Sequence, residues 1–106
     1  MAKTLTRKQI LESAAQRVGN AAAHRIVYDD PPGIREATEY EHQAKRVIEQ
    51  KGWNDMEIAR FREIAIRRAK KELGKRVQVE HGLTLEAALN EAIEKIDAFI
   101  AKDLQK

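Results

Sequence analysis

Cysteine is absent from the chain. That absence excludes disulfide staples, thiolate metal sites and cysteine nucleophiles, and it leaves the redox compartment open. Serine is reduced to Ser13, so nucleophilic catalysis has almost no candidates. Proline is scarce: the two residues stand side by side at Pro31 and Pro32, so one place only carries a strong helix breaker. The five glycines are scattered and form no loop that would cradle a phosphate. Aromatics make up 5% of the chain against 35% charged residues, a balance that suits packed helices better than a β-sandwich. No apolar run approaches the roughly 18 residues of a membrane span. The segment Met1–Thr6 lacks the apolar stretch of a secretory signal, so the expected setting is cytoplasmic, with no membrane partner.

What is present is charge, unevenly spread. The 106 residues suffice for one domain with one core, and the net charge is only +3. From Arg60 to Arg76, however, eight basic side chains stand against Glu63 and Glu72, whereas from Glu80 to Lys106 six acids stand against three lysines. The chain is polarised along its length.

Helix starts are written clearly. Thr6 and Gln9 have the spacing of a capping box, with Leu5 and Ile10 as the matching hydrophobic staple. Ile10, Leu11, Ala14, Ala15, Val18 and Ala22 then follow at helical steps and predict a first helix over about residues 7–28. Gly19 inside it is a weak point, costing up to about 1 kcal/mol relative to alanine. Asp29–Gly33 reads as a connector. A second helix is expected over about 34–51 from Ile34, Ala37, Tyr40, Ala44, Val47 and Ile48, with Gly52 as its left-handed stop. Asn54 and Glu57 repeat the capping box, with Trp53 stapled onto Ile58, and open a third helix over about 55–81. Its stop is Gly82, or Gly74 on a shorter reading. Thr84 caps a fourth helix over about 85–105. Its Leu85, Leu89, Ala92, Ile96 and Phe99 alternate steps of four and three, the seam of a packed helix pair. The expected fold is all-α: a four-helix bundle or two packed helical hairpins. The seam on helix four, through Leu85, Leu89, Ile96 and Phe99, is the expected interface of a homodimer.

The most suggestive functional feature lies on helix three. At about 100° per residue, Arg60, Arg67, Arg68, Lys71 and Lys75 share one face, opposite the Ile58–Ala65–Ala69 side. Such a face suits the phosphates of a nucleic acid or an acidic protein partner, and its plainest alternative is a solvated face laced by local ion pairs. No aromatics interleave with it, which disfavours a base-stacking mode. A helix-turn-helix over Glu57–Ala69 would need a turn glycine where Glu63 stands, so a continuous helix is expected there. Glu39 and His42 have the Glu-x-x-His spacing that is half of a di-metal motif, and they are weak metal candidates because they lie opposite Ala44 and Ile48, on the polar side. Neither His24 nor His81 has a carboxylate and a nucleophile spaced with it in a catalytic arrangement. No cofactor is implied. The expectation is a small non-enzymatic binding protein that works through a basic helix face; the alternatives are a protein–protein adaptor or inhibitor without a nucleic-acid role and, lower, a metal-binding helical oligomer.

Overall fold

A computed structural model describes residues 6–28, 30–49, 52–76 and 84–105. They form helices α1 (Arg7–Val27), α2 (Pro31–Ile48), α3 (Asp55–Arg76) and α4 (Leu85–Phe99), with α4 running straight into a π-helical turn over Ile100–Leu104. Among the described residues there is no strand, and no helix is long and apolar enough to cross a membrane.

The helix starts follow the side chains that satisfy the first free N–H groups. The Thr6 hydroxyl accepts from the Gln9 N–H at 3.1 Å while the Thr6 N–H donates to the Gln9 side chain at 2.9 Å. Asn54 and Glu57 make the same reciprocal pair at 2.8 and 3.0 Å, and Thr84 accepts from the Ala87 N–H at 3.1 Å. The Leu5 half of the first staple lies outside the described residues.

The second helix departs from the expected boundary. It opens at Pro31, three residues before the expected Ile34, and the Asp30 carboxylate caps it by accepting from the Gly33 N–H at 2.8 Å. A proline in the first turn loses nothing, because its missing N–H would have had no helical partner. The diproline therefore starts a helix. At the other end α2 stops at Ile48. Gly52 does hold a left-handed conformation, φ +41°, but in the connector beyond the helix. The third helix passes through Gly74 to Arg76, and its expected continuation over 77–81 lies outside the described residues. Its continuity through Phe61–Ile64 removes the helix-turn-helix reading.

Packing places α1 at the centre. It touches each of the other three helices. Leu11, Ala14, Ala15, Val18, Gly19, Ala21, Ala22, Ala23, Ile26 and Val27 are buried around most of its circumference. Small side chains let neighbouring helices approach closely on several sides, which an amphipathic stripe on one side cannot do. Gly19 shows this most sharply: a Cβ there would sit 2.9 Å from the Arg68 Cβ and closer still to the Ala65 carbonyl oxygen. Residue 19 is the point where α1 and α3 cross. The remaining core comes from Ile48, Phe61, Ile64, Leu73, Ile96, Phe99, Ile100 and Leu104. The Phe61 and Phe99 rings stack in parallel with centroids 6.0 Å apart, joining α3 to α4.

Polar ties fix the periphery. Arg7 donates to Glu57 at 2.6 and 2.9 Å and to the Gly52 carbonyl at 2.5 Å, with its guanidinium 4.2 Å above the Trp53 ring. Trp53 donates its indole N–H to the Ile48 carbonyl at 3.1 Å, closing the end of α2. These bonds hold Glu57 far below the usual carboxylate range, at about 2, chiefly through Arg7 and then through the Asn54 cap. Arg62 donates to Asp97 at 2.8 Å and ties α3 to α4.

Candidate functional site

The basic face of α3 is built by two facts about the helix. Its buried side, Phe61, Ile64, Ala65, Ala69 and Leu73, is held against α1 and α4. The cations one step around the helix must therefore look outward. Arg60, Arg67, Lys71 and Lys75 are exposed, and Arg68 is half-buried beside the Gly19 crossing.

The structure sorts these five. Arg60 and Arg67 both reach Glu63, at 3.6 and 2.7 Å. With side chains 45% and 70% exposed, these pairs hold the arginines loosely. Arg68 pairs with Glu72 at 3.2 Å, and Glu72 is buried, which the sequence pattern had not separated from the solvated acids. Among the described residues the Arg68 Nε is itself buried and has no hydrogen-bond acceptor. Lys71 and Lys75 carry no ion pair among the described residues. Arg62, from the same run of charge, is consumed by Asp97 and belongs to the framework; that bond raises its pKa.

Four of the five converge. Arg60, Arg67, Arg68 and Lys71 line one groove of about 320 Å³ between α3 and α1, with Ile64 at its base and Glu12 and Gln16 as the opposite wall. Lys75 lies one turn further along α3, outside it. The α1 wall was not legible beforehand. Glu12 and Gln16 are four apart on a helix whose alanine pattern says nothing about which neighbour it faces. Glu12 is the one acid among the lining residues, while Glu63 and Glu72 offset Arg60, Arg67 and Arg68 from beside the groove, so Lys71 carries its unpaired charge.

The other candidates are dispersed. Of the expected interface on α4, Ile96 is fully buried and Phe99 is 7% exposed, both inside this chain's own core. Leu89 is partly buried and only Leu85, 40% exposed, looks outward. Within the chain, the Ile96–Phe99 part of the four–three seam packs against α1 and α3. Glu39 is exposed and accepts from Gln43 at 3.4 Å, and His42 lines a cleft toward α4. No group of three or more ligating side chains occurs among the described residues. His24 does have a carboxylate, which the sequence had hidden: Glu36, across the α1–α2 turn, lies 2.8 Å from its Nε2, with the Tyr28 ring centroid at 4.7 Å. His81 lies outside the described residues. No protein-family profile, curated protein or solved structure matches the chain.

Proposed function

We propose that this protein binds the phosphate backbone of a nucleic acid through the basic face of α3, without catalysis. The observation that carries the reading is the groove where Arg60, Arg67, Arg68 and Lys71 converge, with the Arg68 Nε buried and lacking an acceptor among the described residues. A phosphate oxygen supplies that acceptor, and guanidinium groups suit phosphate geometry. Lys75 extends the positive strip along the helix, over about 22 Å from Arg60 at 1.5 Å per residue. The absence of aromatics among these residues favours duplex over stacked single strand. The adaptor reading places an acidic protein on the same face and differs only in what supplies the negative charge.

The test is anisotropy of labelled duplex and single-stranded DNA over a range of salt. Binding should weaken with a slope of about −0.9 in log K against log salt for each phosphate neutralised. Arg67→Glu with Lys71→Glu should abolish it with helicity unchanged. Binding that survives the double substitution, or no binding at low salt, overturns the reading. Capture of a polyglutamate peptide in place of nucleic acid reassigns the face to an acidic protein.

A further inference from the structure

A second concave site lies on the other side of α1. Among the described residues α2 packs on α1 and on the π turn, but not on α4 itself. The two helices therefore stand apart, and a cleft of about 500 Å³ opens between them with α1 as its floor. That volume falls within the range of small-molecule sites. Each wall is one helical stripe. Val18 and Ala22 form the apolar floor, Thr38, His42 and Lys45 line α2, and Lys95, Phe99 and Lys102 line α4 and its extension.

Two features give the cleft a chemical preference. At one end is Asp103, whose side chain is only 7% exposed. Among the described residues its Oδ1 is buried with no hydrogen-bond donor, and the Lys45 ammonium stands off at 3.8 Å, beyond hydrogen-bond range. A buried carboxylate oxygen left without a donor is costly, and a ligand hydroxyl or amine relieves it. Asp103 lies in the π turn, between the exposed Lys102 at the rim and the buried Leu104. The second feature is the rim. Lys95 and Lys102 carry no ion pair among the described residues, whereas Arg25 is already engaged by Glu41 and Thr38. The cleft thus offers one buried acceptor, two uncommitted ammonium groups and an apolar floor.

We propose that this cleft binds a small organic phosphate that carries a hydroxyl or amino donor, the donor meeting Asp103 and the phosphate meeting Lys95 and Lys102. The site is distinct from the α3 face, and neither depends on the other. The experiment is an NMR titration of the full chain with adenosine monophosphate and, separately, with inorganic phosphate. The expected result is saturable shifts at Thr38, His42, Lys95, Ala98 and Lys102 with the nucleotide. Lys95→Glu with Lys102→Glu should weaken binding by about tenfold or more, the loss expected for one charge-assisted hydrogen bond. Both lysines are exposed, so this variant folds as the parent does. No shifts at millimolar nucleotide overturn the proposal, as do shifts confined to the α3 groove. Equal affinity for inorganic phosphate overturns it as well, because the Asp103 acceptor then has no part in recognition.

Discussion

Arg7 is the residue that does most outside the core. One guanidinium bonds both oxygens of Glu57 and the Gly52 carbonyl and covers the Trp53 ring, so the start of α1, the connector and the start of α3 meet at a single side chain. The consequence is a pH dependence with a defined sign. Glu57 is held at about 2 in the folded chain, below its ordinary 4.5. A carboxylate whose folded pKa is depressed contributes stability above the unfolded pKa and loses it as pH falls toward the folded one. Stability from this contact is therefore present above about pH 4.5 and is lost between there and about 2. A carboxyl-detected NMR titration should place Glu57 among the lowest carboxylates, and Arg7→Gln should return it toward the ordinary range. A Glu57 that already titrates near 4.5 in the parent chain would show that the contact is not kept in solution.

At the scale of elements, the crossing of α1 and α3 is the clearest case of local propensity and packing pulling in opposite directions. Helix propensity alone says that Gly19→Ala stabilises, by up to about 1 kcal/mol. The added methyl would meet the Ala65 carbonyl and the Arg68 Cβ, both belonging to the helix on which the basic face is built. Backbone cannot yield as a flexible side-chain end does, and overpacking of this kind costs about 1–3 kcal/mol. The expected result is a net loss of stability in urea unfolding with little change in the denaturant slope. A gain would mean that α1 and α3 sit further apart. The α2 start follows the opposite logic. There the breaker Asp30-Pro31-Pro32 agrees with the structure once it is understood as a cap followed by a first turn that needs no N–H donors.

The whole molecule is organised around one alanine-rich helix. Because α1 occupies the centre, the Ile96 and Phe99 part of the α4 seam is buried within the chain, and the two concave sites fall on different flanks of α1. One lies toward α3 and the other between α2 and α4. The remaining large exposed apolar side chains, Ile34, Val47, Met56 and Leu85, are spread over three helices, as single apolar residues on a monomer's surface commonly are. Light scattering is therefore expected to give the mass of one chain, 12.1 kDa, with Leu85→Glu changing neither mass nor melting temperature. A dimer that Leu85→Glu dissociates would restore α4 as an interface.

The amino-acid sequence by itself determined the helices and most of their starts. Caps, staples and the 3.6-residue period act over four or five residues, and Thr6, Asn54 and Thr84 spell them out locally. It also determined that Arg60, Arg67, Arg68, Lys71 and Lys75 share a side of α3, since a helix places residues by number alone. Which helix lies at the centre was decided only by tertiary packing. A stripe of leucine and isoleucine marks α4 as conspicuously apolar, while the alanines and Gly19 of α1 carry little hydrophobicity yet permit close approach on several sides. The partners of the cations were decided the same way. Arg7 with Glu57, Arg62 with Asp97 and His24 with Glu36 join positions remote in the chain, so no local pattern pairs them. The groove beside Arg68 and the buried Asp103 in the opposite cleft exist only once α1 has drawn the other helices around itself.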